Sequence, residues 1–159
     1  MPAKAVSAAA KPVRNGPSEV SDHLCFAIYS AGHAFNRVYK PLLDELGLTY
    51  PQYLVMIALW ADDDQTVGEI GQKLFLESST LTPLLKRLEA LGYLTRKRDP
   101  EDERQVRLKL TDKGSAMRKK ARDVTGCIGE ATGLPLDAVV KLRDEVIRLR
   151  DNLMKAAKV

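Results

Sequence analysis

The stretch from Thr66 to Gly114 constrains the fold most, because it sets two helical patterns and two strand patterns one after another in a short span. It opens with Thr66-Val67-Gly68-Glu69, a capping box in which the Thr hydroxyl and the Glu carboxylate each accept from a backbone N–H that would otherwise lack a partner. Val67, Ile70 and Leu74 give this first helix one buried face. After an interruption from Phe75 to Ser78, a second helix begins near Ser79. Its Leu81, Leu84, Leu85, Leu88 and Leu91 recur at three- and four-residue steps, with Ser79, Thr80, Thr82, Lys86 and Arg87 largely off that stripe. Gly92 is placed to end it.

Two short helices joined by a tight turn, the second presenting hydroxyls and cations near its start, are what a helix-turn-helix needs to enter a major groove. A surface helical hairpin has the same pattern, so the next segment decides between them. Tyr93 to Arg98 and Gln105 to Leu110 both alternate in the two-residue rhythm of half-buried strands, around the polar loop Asp99-Pro100-Glu101-Asp102-Glu103-Arg104. A β-hairpin with a charged tip after a recognition helix is a wing. Thr111-Asp112-Lys113-Gly114 then turns the chain into another helix.

Asp102-x-Arg104 followed by Leu110-Thr111-x-x-Gly114, after a Leu-rich helix ending Leu91-Gly92-Tyr93-Leu94, resembles the winged-helix signature of the MarR family of bacterial transcriptional regulators. Leu24-Cys25-Phe26-Ala27-Ile28-Tyr29 and Leu48-Thr49-Tyr50-Pro51-Gln52-Tyr53 are similar to the organic hydroperoxide resistance regulators within that family, and the resemblance spans about residues 20 to 155. It implies a mainly α fold with a small β-hairpin, in which a winged helix-turn-helix domain is flanked by N- and C-terminal dimerisation helices.

Charge agrees with a nucleic-acid partner. From Arg96 to Arg122 there are eleven Lys/Arg against five Asp/Glu, a local +6 in a chain whose net charge is +4, so the remainder sums to −2. No apolar run reaches the roughly twenty residues that span a bilayer, and the N-terminus lacks the apolar stretch of a secretory signal. The expected location is the cytoplasm, with no membrane partner. Two cysteines far apart make no disulfide scaffold and offer no metal spacing with His23 and His33, so no metal or cofactor is implied. In a reducing compartment both rest as thiols.

Met1 to Pro17, rich in Ala and Pro, is expected to be a mobile tail, although its scattered cations suit DNA phosphates. Ser18 or Ser21 is placed to cap a helix with Leu24, Ile28, Ala31, Phe35, Val38 and Leu42 on one stripe, and Pro41 is expected to bend or end it, with a short second piece to Leu46. Residues 18–48 form the first dimerisation region. Residues 49–115 form the DNA-binding region, opening with a helix from Thr49 to Ala61 that is apolar nearly all round and therefore central. Residues 116–159 carry the rest of a basic helix to Ala131 and, after Gly133-Leu134-Pro135, a last helix with Val139, Leu142, Val146, Leu149 and Leu153 on one stripe, suited to a dimer interface.

No catalytic set assembles from this sequence: there is no phosphate-binding glycine loop and no HExxH, and solvation accounts for Asp62-Asp63-Asp64 in a loop. Cys25 falls one position off the stripe of its helix. Taken alone, a cysteine is most often a small core hydrophobe, but phenols can hydrogen-bond a thiolate and lower its pKa. Tyr29, four residues on, is within reach of Cys25, whereas Tyr39 lies ~21 Å along an unbroken helix at ~1.5 Å per residue. The resemblance implies that Cys25 is the peroxide sensor, held by Tyr39 and Tyr50 of the opposite subunit, and that Cys127 is the resolving thiol of the two-cysteine branch. Thr80, Thr82, Lys86 and Arg87, with Ser79 near its start, are the candidates for the major-groove helix, and Arg104, oriented by Asp102, is the candidate for a minor-groove contact. The chain is thus expected to be no enzyme but a homodimeric repressor that binds double-stranded operator DNA when reduced and releases it when an organic hydroperoxide oxidises Cys25. Two alternatives stay open: a family member released by a small aromatic ligand, and a thiol peroxidase using Cys25 and Cys127.

Overall fold

The computed structural model describes residues 19–157, so the expected tail and Ser18 as a cap lie outside the described residues. The chain divides into two compact units between Ala34 and Phe35. The first contains a 3-10 turn, Val20–Asp22, and the start of helix α1, Leu24–Asp44. His23 stands just before α1, not on it, and its carbonyl accepts the N–H of Ala27 at 3.1 Å. Ser21 is inside the 3-10 turn and caps nothing, because the helix starts later than the hydroxyl expected to start it.

Pro41 lies inside α1 and does not end it. A proline deletes one helical hydrogen bond, but here it does so in the last turn, where Leu43, 2% exposed, enters the core. The carbonyl of Leu43 then accepts both the Leu46 and the Leu48 N–H at 3.0 Å, with Gly47 left-handed at φ +66° to make the reversal. Leu46 and Leu48 are buried after it.

The second unit is organised on helix α2, Tyr50–Ala61, which buries Gln52, Tyr53, Val55, Met56 and Leu59. The Thr49 N–H donates to Gln52 Oε1 at 2.9 Å, and Pro51 sits in the first turn, where its missing N–H costs no helical bond. Next come strand β1, Gln65–Thr66, helix α3, Val67–Leu74, and helix α4, Ser78–Ala90. Strands β2, Leu94–Arg98, and β3, Val106–Leu110, form the wing, followed by helices α5, Asp112–Ala131, and α6, Leu136–Ala156. The sheet has three strands, not the two of a lone hairpin. β3 lies in the middle, antiparallel to β2 with Leu94 opposite Leu110 and Arg98 opposite Val106, and antiparallel to β1 with Thr66 opposite Arg107. β1 is too short to show an alternating pattern.

Leu81, Leu85 and Leu88 of α4 meet Ile70 of α3, Leu94 of β2 and Leu108 of β3 in one core. Leu91, assigned to the same stripe, is exposed, because it is the C-cap of α4 and the chain turns there into Gly92 at φ +77°. α5 joins the core through Met117, Ala121, Val124 and Ile128. Its start is fixed by a close approach. A Cβ on Gly114 would stand 1.9 Å from the Tyr93 carbonyl oxygen, and the Gly114 carbonyl accepts the indole N–H of Trp60 at 2.9 Å. No residue of α6 is buried.

Candidate functional site

The helix-turn-helix is built from both sides of its turn. Thr66 Oγ1 accepts the Glu69 N–H at 3.2 Å, and Glu69 Oε2 accepts the Thr66 N–H at 2.7 Å and the Thr66 hydroxyl at 2.9 Å; the two bonds to the carboxylate hold it below its usual range. Phe75 ends α3 in the left-handed region at φ +55°. Gly71 makes room for the return, since a Cβ there would lie 2.9 Å from the Leu76 carbonyl oxygen.

With the leucines turned inward, Ser79, Thr80, Thr82, Lys86 and Arg87 are all exposed on α4. Thr82 donates its hydroxyl to the Ser78 carbonyl at 2.8 Å, so only its acceptor lone pairs face outward. The helix is tied to the wing by Glu89, whose two oxygens accept the Arg96 backbone N–H at 3.0 Å and the Arg96 Nε–H at 2.8 Å. Those donors hold the Glu89 carboxyl low.

At the wing tip Asp102 Oδ1 accepts the Arg104 Nε–H and backbone N–H, both at 3.1 Å, and the Arg104 side chain is 91% exposed. The pairing anticipated from the motif is therefore made. Sequence reasoning missed the groups behind it. Asp99 Oδ1 accepts the N–H of Glu101 at 2.8 Å and of Asp102 at 3.3 Å, while its Oδ2 takes Arg107 Nη1 at 3.1 Å. Arg107 also donates from Nε to Asp64 Oδ1 at 2.9 Å and from Nη2 to the Asp64 carbonyl. An Asp immediately before a proline is an Asx-turn signal that would have marked Asp99; Arg107 carries no local signal.

The acidic triplet is not explained by solvation alone. Asp62 pairs with Lys73 at 3.5 Å, Asp63 Oδ1 accepts the Leu110 N–H at 2.9 Å, and Asp64, at φ +57°, grips Arg107. The loop pins the sheet that carries the wing.

Cys25 and Cys127 are both free and exposed. Cys127 stands beside Ile128 on α5 but off its buried face. Tyr29 makes no hydrogen bond to Cys25; its ring meets His33 edge-on at 4.4 Å. Tyr39 and Tyr50 are brought together, with ring centroids 4.7 Å apart, and Tyr53 lies 6.1 Å from Tyr39. Burial, and then the neighbouring Tyr50 and Tyr53, pushes the Tyr39 phenol up to about 12, and burial followed by Tyr53 raises Tyr50. Both phenols remain protonated donors at neutral pH.

Residues 37–121 match the family described as transcriptional regulator SarA/Rot. The chain is 49% identical over 140 residues to the HTH-type transcriptional regulator TtmR of Methylorubrum extorquens strain PA1, covering 88% of this chain and 72% of that one. It is 46% identical over 110 residues to the organic hydroperoxide resistance transcriptional regulator of Bacillus subtilis strain 168, covering 69% and 75%. The chain belongs to the MarR-type winged-helix transcriptional regulators. It is a DNA-binding transcriptional regulator rather than an enzyme, which sets the peroxidase alternative aside. Among solved structures it is similar to reduced AbfR bound to DNA, with a TM-score of 0.71 and 36% identity over 85% of this chain and 94% of that one. A disulfide form of AbfR matches with a TM-score of 0.61 and 35% identity over 86% and 92%. No helix among the described residues of this MarR-type regulator is long and apolar enough to cross a membrane.

Proposed function

We propose that this regulator is a peroxide-sensing repressor that binds operator DNA as a reduced homodimer and releases it when Cys25 is oxidised by an organic hydroperoxide. α4 enters the major groove with Thr80, Thr82, Lys86 and Arg87 and with Ser79 near its start, and Arg104 reaches the adjacent minor groove. Phosphate contacts dominate the affinity and make it strongly salt-dependent. AbfR, similar over most of this chain, is bound to DNA when reduced and also exists with a disulfide, which supports a redox reading of the shared fold.

The observation that carries the reading is the coexistence of two exposed free thiols with a pair of packed phenols held in their donor form. In the dimer, Tyr39 and Tyr50 of the partner subunit hydrogen-bond the Cys25 thiolate and stabilise it. The thiolate attacks the peroxide: an S–O bond forms, the O–O bond breaks, and the alkoxide leaves and is protonated to the alcohol. Cys25 is now a sulfenic acid. A Cys127 thiolate, supplied by the partner subunit, then attacks that sulfur, forming S–S and expelling hydroxide, which takes a proton to become water. Two thiols are oxidised and one peroxide is reduced. A sensor assembled only across subunits couples oxidation to the spacing of the two recognition helices.

Mass spectrometry and non-reducing electrophoresis of peroxide-treated protein test this directly. Wild type is expected to give a covalent Cys25–Cys127 dimer, Cys25→Ser none, and Cys127→Ser a trapped or over-oxidised Cys25. Cys25 remaining reduced, or Cys127 reacting first, would remove the mechanism and leave the DNA-binding assignment standing.

A further inference from the structure

The wing tip carries Arg104 on a loop whose shape is set from elsewhere. Asp99 occupies the base of that loop: its N–H donates to the Gln105 carbonyl at 2.9 Å, and its Oδ1 gathers the Glu101 and Asp102 N–H groups. Asp102 in turn holds Arg104. The other Asp99 oxygen is fixed by Arg107, which sits on the central strand β3 opposite Lys97 of β2 and Thr66 of β1. Arg107 is itself anchored at a second point, Asp64, in the loop that leads into β1. The guanidinium thereby ties the loop before β1 to the base of the wing-tip loop, and the Asp99 side chain it holds is only 13% exposed.

From this geometry we infer that Arg107 is a positioning residue for operator recognition: acting through Asp99 and Asp102, it holds the Arg104 guanidinium in the orientation that enters the groove. This rests on the reading of Arg104 as a DNA contact. Arg107 itself is turned toward Asp64 and Asp99, which take three of its five N–H donors, one from each nitrogen. A planar guanidinium suits the task because its donors leave in fixed directions toward two separate acceptors, which a lysine ammonium does not reproduce.

The sign of one substitution separates positioning from charge. Asp99→Ala removes an anion close to DNA, and electrostatics alone makes that variant bind more tightly; loss of positioning makes it bind more weakly. Operator affinity and its salt slope are measured for Arg104→Ala, Arg107→Gln, Arg107→Lys, Asp99→Ala and the Arg104→Ala/Arg107→Gln pair, with thermal unfolding beside each. Arg107→Gln and Asp99→Ala are each expected to weaken binding by about tenfold, the scale of one charge-assisted contact. Arg107→Lys should recover little of it, and Arg107→Gln should add nothing once Arg104 is already Ala. Tighter binding by Asp99→Ala, or additive losses in the double variant, would overturn the inference. If Arg104→Ala alone leaves affinity unchanged, the fault lies with the groove assignment beneath it.

Discussion

Between Val67 and Leu110, Ile70, Leu85, Leu88 and Leu108 are sealed from solvent, whereas α6 buries no residue and leaves Leu136, Leu142 and Leu153 more than half exposed. α1 behaves like α6 for most of its length: Leu24, Ile28, Phe35 and Val38 are exposed, and only Leu43, in its last turn, is buried. The apolar residues recur at the same three- and four-residue steps in α4 and in α6, yet one stripe is covered and the other is not. Periodicity identifies a face; it does not say what covers it. In the winged segment the cover is the chain's own core. For the terminal helices, the cover in the proposed account is a second copy of the chain.

The harshest way to break that contrast is to delete α6. Truncation of Leu136 to Val159 removes a whole apolar stripe, and loss of the soluble dimer is expected rather than a folded monomer, read by size-exclusion chromatography with light scattering. A stable monomer that still binds a full operator would mean the stripe covers nothing of consequence.

A matched pair of point variants sharpens the same contrast. Leu88→Ala, at a position with no exposure, should cost ~2–5 kcal/mol in denaturant unfolding whatever the protein concentration. Leu142→Ala, at a position 54% exposed in the single chain, should do less to the fold and weaken dimerisation by roughly tenfold. Its effect on the melting temperature should grow on dilution, which the core variant's should not. Equal, concentration-independent losses at both sites would erase the distinction.

Much of the winged segment was legible because its signals are local. Thr66 and Glu69 announce a helix start, Gly92 announces a stop, and Leu94 and Leu108 mark the inward face of alternating strands; each works over a few residues of chain. What was not legible depends on partners far apart. β1 is two residues long and exists because β3 is beside it. The Asp62–Asp64 loop reads as solvated, since nothing near it in sequence reveals that Asp63 and Asp64 meet Leu110 and Arg107. Pro41 does not end its helix because the burial of Leu43, Leu46 and Leu48, which holds the turn after it, is invisible in the proline's local pattern. For the thiol site, the Tyr39–Tyr50 pairing emerged only when α1 and α2 were packed together, and the assignment of Cys25 as sensor rests on likeness to relatives rather than on its immediate neighbours.

Operator binding before and after a substoichiometric pulse of organic hydroperoxide, with wild type and Cys25→Ser side by side at one salt concentration, tests the central claim most directly. The account predicts that both proteins bind the operator when reduced, that wild type releases it after the pulse and regains it with a thiol reductant, and that Cys25→Ser stays bound throughout. Release of the Cys25→Ser protein by peroxide, or wild type that remains bound while its Cys25 is oxidised, would contradict it.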